Sequence, residues 1–311
     1  MFLIMSDDWK NNIPLRIRTK VFLRDWYIRN IRNPYQSFRR KQGLADKDLF
    51  KHIKIQTNYM CTRKCSFCHY GLERSPVKQN INEKLFKRII NELASISYSG
   101  ILSLYEINEP LTDKRFNEFL KYARKKLPRA WIFITTNGDL LTTHRVSQLF
   151  HDGLNHIYLN SYDDKACERN LNMLSQLDDS LVKKITHINR TYQETWTSRA
   201  GNVKQFYKEV CQAPCDQVYE IMYIKPSGMV CSCINDFYNM NEMGDLNKAS
   251  LFEVWFGTKF QKMRRELSRQ NRNCSDLCRV CDYVGYGNLP KVPFFWKIKS
   301  VLHNFNSKKS I

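Results

Sequence analysis

Between residues 52 and 189 the chain alternates short β-rich runs with amphipathic helical ones, and this alternation constrains the fold more than any other feature. Residues 52–57 (HIKIQT), 101–107 (ILSLYEI), 131–135 (WIFIT), 156–160 (HIYLN) and 184–189 (KITHIN) read as strands, rich in Ile, Thr, Tyr and Phe. Helical period appears over 82–96, where Leu85, Ile89, Ile90 and Leu93 share a face, and again over 116–126. A third helix is expected over 143–151, stopped by Asp152-Gly153, and a fourth around 167–177. The pattern is taken as six strand–helix repeats with KITHIN as the sixth strand, although the runs that read as strands number five. Such repetition predicts parallel strands covered by helices, with functional residues at the C-terminal strand ends.

Eleven cysteines in 311 residues are too few for a disulfide scaffold. Their placement is more informative than their number. Cys61, Cys65 and Cys68 form a C-x3-C-x2-C cluster directly after the first strand. Cys167 stands alone, and Cys211, Cys215, Cys231, Cys233, Cys274, Cys278 and Cys281 fill the last third. Three thiolates do not close a tetrahedral zinc site, although His69 could supply a fourth ligand. They suit a [4Fe–4S] cluster with one iron left for a non-protein ligand. Three unconnected buried thiols are the plain alternative.

C-x3-C-x-Φ-C after the first strand, with Phe67 as the aromatic, resembles the signature of the radical S-adenosylmethionine (radical SAM) superfamily over roughly residues 50–285. Other strand ends resemble it in order. Asn108-Glu109-Pro110 is similar to the Gly-Gly-Glu-Pro segment that meets the methionine amino group of SAM. Thr136-Asn137-Gly138 is similar to the turn beside the cofactor, and Ser161 to the serine at the SAM ribose and carboxylate. The resemblance implies a partial (β/α)6 TIM-like barrel, and it implies SAM cleavage to a 5′-deoxyadenosyl radical that takes hydrogen from a substrate C–H.

Further along, Gly228-x4-Cys233 with Asp236, and Gly244-Asp-Leu followed by Ser250-Leu-Phe-Glu-Val-Trp255, resemble the SPASM/twitch extension behind many such barrels. A hairpin is expected with residues 218–224 as one arm and Pro226-Ser-Gly228 as its turn, followed by one helix over 252–267. Cys215, Cys233, Cys278 and Cys281, at intervals of 18, 45 and 3, resemble the twitch of the deoxy-scyllo-inosamine dehydrogenase group. That likeness implies one auxiliary [4Fe–4S] cluster, with Cys211, Cys231 and Cys274 as neighbours that could substitute. A zinc knuckle is the competing reading of this tail. Arg199, in Ser198-Arg199-Ala200-Gly201, resembles a family arginine and is expected to orient the substrate hydroxyl. A guanidinium is always charged and cannot be the base. Arg190 competes for the same role.

The organisation expected is a basic extension over 1–50, the barrel over 51–205, the SPASM/twitch unit over 206–287 and a basic tail over 288–311. The formal charge of +20 is concentrated at the ends: residues 1–50 hold eleven Lys/Arg against five Asp, and 291–311 hold five Lys and no acid. Residues 15–35 and 293–305 interleave cations with large apolar residues, which suits either packing on the barrel with snorkelling cations or peripheral membrane contact. No segment reads as a secretory signal or a membrane span, so a cytoplasmic enzyme is expected. Its substrate is expected to be a small sugar- or cyclitol-like alcohol oxidised with the help of the auxiliary cluster, and its electron donor a flavodoxin or ferredoxin. The alternatives are a maturase of a ribosomally made peptide, an RNA-modifying enzyme, and a metal-binding scaffold without catalysis. No RNA-binding module is recognisable, which counts against nucleic acid.

Overall fold

A computed structural model describes residues 48–72, 79–190, 197–206, 209–211 and 215–283. The segments expected at 15–35 and 293–305 to be amphipathic and basic lie outside the described residues.

The elements run β1 (His52–Ile55), α1 (His69–Leu72), α2 (Glu83–Ser95), β2 (Ile101–Ser103), α3 (Phe116–Lys126), β3 (Trp131–Thr136), α4 (Thr143–His151), β4 (His156–Ser161), α5 (Asp164–Ser175), α6 (Asp179–Val182) and β5 (Ile185–Asn189). They continue with α7 (Gln217–Glu220), β6 (Ile221–Ile224), β7 (Met229–Cys231), β8 (Glu242–Asp245), α8 (Leu251–Trp255), α9 (Thr258–Ser268) and α10 (Asp276–Arg279). One sheet holds all eight strands in the order β5-β4-β3-β2-β1-β6-β7-β8. Strands β5 through β6 in that order are parallel, and β7 and β8 join antiparallel.

The parallel α/β architecture agrees with the alternation in the sequence, but the sixth parallel strand is not KITHIN. Residues 184–189 supply the fifth, and the sixth is β6, which pairs with β1 from His52↔Ile221 to Ile55↔Ile224. The expected hairpin arm at 218–224 is therefore two elements. Gln217–Glu220 is a buried helical turn, and Ile221–Ile224 is a strand buried along its whole length between β1 and β7. The helix expected over 252–267 is also broken. At Gly257 the backbone is extended (φ −69°, ψ 162°) and starts α9 anew.

Helices cover one face of the sheet. Ile53, Ile55, Leu102, Ile132, Ile134, Ile157, Leu159, Met222 and Ile224 join Phe86, Ile89, Phe116, Phe119 and Leu149 in one buried cluster. Phe86 of α2 and Phe119 of α3 stack with centroids 4.1 Å apart. Caps set the helix starts: Asn82 accepts from the N–H groups of Lys84 and Leu85, and Thr142 from that of Arg145. Alternate strand residues turn to the inner face. There His52, Lys54, Tyr105, Phe133, Tyr158 and Tyr223 form a chain of ring and cation contacts from β6 to β4. Among the described residues no helix is long and apolar enough to cross a membrane.

The Phe86 side chain is fully buried, so Phe86→Ala should cost about 3–5 kcal/mol in urea unfolding. A loss below about 1 kcal/mol would contradict this packing.

Candidate active site

The chain leaves β1 and passes through Gln56, Thr57 and Asn58 into the cysteine loop. Cys68 N–H donates to Cys65 O (3.1 Å) and Gly71 N–H to Cys68 O (2.8 Å), so the loop turns directly into α1. Gly71 is required by contact: a Cβ there would lie 2.2 Å from Cys65 O. Burial pushes the Cys61 thiol up, and burial with the neighbouring thiols of Cys68 and Cys61 pushes Cys65 up to about 12. Three thiolates this close are unfavourable unless a cation compensates them, which is what a metal cluster does.

Arg63 ties this loop to the next two strand ends. Its Nε and Nη2 donate to the two oxygens of Asp139 at 2.8 and 2.7 Å, and its Nη1 donates to Asp163 at 2.6 Å. Thr62 Oγ1 and Arg169 Nη2 also donate to Asp139. Burial opposes ionisation of Asp139, but the Arg63 donors outweigh it and hold the carboxyl below the usual range. The loop is further fixed to the C-terminal region. His69 packs edge-on against Phe237 (4.0 Å) and Tyr238 (4.8 Å), and Gln205 Nε2 donates to Ser66 O.

The other strand ends converge as the sequence motifs suggest. Glu109 Oε1 accepts from Thr136 Oγ1 (2.8 Å) and Oε2 from Asn137 N–H (2.9 Å), while Glu109 N–H donates to Met60 O beside Cys61. Burial pushes this carboxyl up to about 7. Glu109 thus acts here as a strut between β2 and β3, followed by a single turn at Pro110. Asn108 Nδ2 donates to Asn58 Oδ1 (3.0 Å). Asn137 Nδ2 donates to Thr62 Oγ1 (2.9 Å) and approaches Cys61 Sγ (3.8 Å). Gly138 sits at φ +78°, where a Cβ would lie 2.5 Å from Asn170 Oδ1. Ser161 is fully buried, with its hydroxyl enclosed by His187 Nε2 (2.8 Å) and Asn170 Nδ2 (3.0 Å). Phe67 packs against Tyr162, centroids 5.1 Å apart.

Cys215, Cys233, Cys278 and Cys281 all line one small cavity of about 20 Å³, together with Arg272 and Tyr283. Burial drives the Cys233 thiol well up, reinforced by Cys278, Cys281 and Cys215. Cys281 is pushed up to about 12 by the same burial, and Cys278 is drawn down by the hydrogen bond from the Cys274 thiol. Cys231 lies elsewhere, buried in β7 with its thiol donating to Asn239 Oδ1 (3.2 Å). Cys211 meets the site through its backbone, donating to Cys281 O. Cys167 Sγ accepts from Asn189 Nδ2 (3.6 Å) on the far strand. Among the described residues no three Cys, His, Asp or Glu side chains converge as ligands of a single metal ion.

Between the two thiol groups lies a strained turn. Arg199, Ala200 and Gly201 have φ of 54°, 56° and 82°, and a left-handed non-glycine residue costs about 1–2 kcal/mol. The turn is clamped by Ser198 N–H to Asp282 Oδ2 (2.7 Å), Gly201 N–H to Ser198 Oγ (2.9 Å) and Asn202 Nδ2 to Asn235 O (3.0 Å). Asp282 and Asn235 adjoin Cys281 and Cys233, so the clamp fixes Arg199 to the second thiol group. The Arg199 charge reaches Tyr162, which also feels Cys65 and Cys68, and reaches Tyr283, which also feels Cys215, Cys233 and Cys281. Arg190 Nε donates to Asn160 Oδ1 (2.7 Å), and its charge also reaches Tyr162. Strain held in place beside reactive groups is typical of functional sites.

Arg63, Asp139, Tyr162 and Lys54 escaped the sequence reading. Arg63 and Asp139 adjoin recognised motifs, and Lys54 is a lone cation on a short apolar strand.

Residues 215–282 match the SPASM family, described as an iron-sulfur cluster-binding domain. The chain is 25% identical over 238 residues to the S-adenosyl-L-methionine-dependent 2-deoxy-scyllo-inosamine dehydrogenase of Niallia circulans, covering 76% of this chain and 94% of that one. Its structure is similar to that of BtrN in complex with AdoMet and 2-DOIA, with a TM-score of 0.70, 25% identity and coverage of 76% and 94%. The fold is also shared with anSMEcpe with bound AdoMet, at a TM-score of 0.51, 10% identity and coverage of 84% and 93%.

Because the Asp139 carboxyl is held below its ordinary value of about 3.9, its stabilisation is fully present above about pH 4 and fades as the pH falls through the lowered value. In urea unfolding, Asp139→Asn should cost about 1–2 kcal/mol at pH 7, and the gap to the wild type should narrow below pH 4. A gap independent of pH would contradict the Arg63 pairing.

Proposed function

We propose that this chain, a radical SAM partial barrel with a SPASM iron–sulfur domain behind it, oxidises a small polyhydroxylated alcohol, sugar- or cyclitol-like, to a carbonyl compound. The observation that carries the reading is the placement of Arg199, clamped to the cavity of Cys215, Cys233, Cys278 and Cys281 and within electrostatic reach of a tyrosine that also feels Cys65 and Cys68. On this reading the two thiol sites flank one substrate space.

The donor sets fit the groups expected there. Cys61, Cys65 and Cys68 would hold a [4Fe–4S] cluster and leave one iron to SAM, and the four cavity thiols would hold a second cluster with all its irons ligated. Bound together, these groups and SAM supply a 5′-deoxyadenosyl radical that takes hydrogen from a carbinol carbon, and an acceptor for the electron released when the carbonyl forms. The chain's own residues do the rest. Arg63, fixed by two carboxylates, holds the first loop in register with β3 and β4. Asn137 offers a donor to Cys61 Sγ, a contact of the kind that tunes a cluster. Glu109 braces the Asn137 turn. Thr136, Gly138, Pro110, Asn108, Phe67 and Ser161 shape the SAM side of the site. Arg199 and Arg190 present permanent cations where the substrate oxygen gains negative charge as its proton leaves.

Thiol-rich cluster sites of this type suit a reducing interior, and we assign the protein to the cytoplasm with a flavodoxin or ferredoxin as electron donor. The basic terminal segments would make any membrane contact.

The test is an anaerobic assay of reconstituted, reduced protein with SAM and a panel of polyols. The wild type should carry about eight irons per chain and release 5′-deoxyadenosine and a ketone in equal amounts. Cys65→Ala should release no deoxyadenosine. Cys278→Ala should still release it but lose ketone formation at least about tenfold. Deoxyadenosine release with no alcohol oxidised, or a precursor peptide modified in place of the polyols, would count against the dehydrogenase reading.

A further inference from the structure

Arg199, Ala200 and Gly201 make the longest left-handed stretch among the described residues, following one another at φ of 54°, 56° and 82°. The other non-glycine residues with positive φ, Ser97, Asn239 and Gln270, stand singly. A left-handed backbone crowds the Cβ of any residue but glycine, so two such residues in succession do not form by local preference. The turn closes on itself through Gly201 N–H to Ser198 Oγ (2.9 Å), Val203 N–H to Ser198 O (2.8 Å) and Asn202 Nδ2 to Arg199 O (2.8 Å).

The four-thiol site holds this turn from outside. Ser198 is fully buried, and its N–H donates to Asp282 Oδ2 at 2.7 Å. Asp282 directly follows Cys281. Asn202 Nδ2 also donates to Asn235 O (3.0 Å), two residues past Cys233. Ala200 is buried in a small cluster with Leu277 and Cys281, against which Cys233 and Tyr283 pack. A Cβ on Gly201 would meet Val280 at 3.1 Å. Each of these supports is, or lies within two residues of, Cys233, Cys278 or Cys281.

The supporting segments have little regular structure of their own. The helix α10 is a single turn. After it Cys281 N–H donates to Cys278 O (3.2 Å), Tyr283 N–H to Cys281 Sγ (3.4 Å) and Cys211 N–H to Cys281 O (2.9 Å). Cys215, Cys233 and the Cys278–Cys281 pair come from three separate stretches of chain. Ligation by all four thiols would cross-link those stretches, and metal binding by scattered ligands is coupled to folding in this way. Without the cross-link Asp282 and Asn235 are free to move, and the buried Ser198 N–H loses its acceptor. An unpaired buried N–H is unfavourable, and strained backbone persists only where its surroundings over-determine it.

We propose that the four-thiol site has a second function: it builds the turn that presents Arg199, with Asp282 as the positioning residue that carries the coupling. This rests on the reading of Arg199 as the group that orients the substrate hydroxyl. The site then serves both as electron acceptor and as the template for the arginine that faces the alcohol. The bond to Ser198 needs only an oxygen acceptor on residue 282, so a carboxamide should serve there and a methyl group should not.

The test is hydrogen exchange, read by mass spectrometry over residues 197–206 of the reconstituted, SAM-loaded protein. Wild type is compared with Asp282→Ala, Asp282→Asn and Cys278→Ala, and iron content and SAM titration report whether each is loaded and folded. Exchange at the Ser198, Gly201 and Val203 amides should quicken at least about tenfold in Asp282→Ala, with about eight irons retained. Asp282→Asn should exchange as the wild type does. Cys278→Ala leaves Asp282 in place and decides the coupling by itself: with about four irons, it should quicken the same amides. Unchanged exchange in Asp282→Ala or in Cys278→Ala overturns the proposal. So does an Asp282→Ala protein that retains only about four irons, because Asp282 would then serve the cluster and not the turn. In turnover, Asp282→Ala should form at least about fivefold less ketone per deoxyadenosine released, and Asp282→Asn should restore the ratio. A wild type that oxidises no polyol would remove the dehydrogenase reading and leave the exchange result standing.

Discussion

The parallel pairing of β1 with β6 is the contact on which the rest of the structure depends. Four residues of the first strand meet four residues that lie almost 170 positions later, and this ladder joins the C-terminal cysteine region to the barrel in a single sheet. Without it the three-cysteine loop after β1 and the four-thiol cavity around β6 would belong to separate units. With it, both sites hang from neighbouring strands of one rigid support. The cost of closing so long a loop is met by burial, since Ile53, Ile55, Met222 and Ile224 are all fully enclosed.

A second constraint follows from charge. A buried cation or carboxylate needs a partner, and near the site Arg63 pairs with Asp139 and Asp163, and Lys225 with Glu106. These pairs fix geometry. The formal charge of +20 says little about the site, because much of it lies in the terminal segments. The ion pairs that fix the strand ends matter more than the total.

Much of this was legible in the sequence where local signals were strong. The expected limits of α3 and α4 coincide with those observed, since the Thr142 cap and the Asp152-Gly153 stop are written locally. The resemblance to the twitch extension, carried by thiol intervals of 18, 45 and 3, picked out the four cysteines that line the cavity. What escaped was non-local. Ile221–Ile224 is buried on both faces, so its apolar run has no alternation to reveal which strand it joins. The helical turn before it has no sequence stop. Arg63 looked like an ordinary loop cation until the fold brought Asp139 and Asp163 to it. The Ser161 hydroxyl is held by His187 and Asn170, partners that no spacing rule links to it.

The central claim is that two chemically different iron–sulfur sites, one open to SAM and one closed by four thiolates, face the same space. Electron paramagnetic resonance of the reduced, reconstituted protein tests this most directly, comparing wild type with Cys278→Ala before and after SAM is added. The account predicts two overlapping signals in the wild type. SAM should shift one of them, and the shifted one should be the signal that survives in the variant. A single signal in the wild type, or a SAM-induced shift of both signals or of neither, would contradict it.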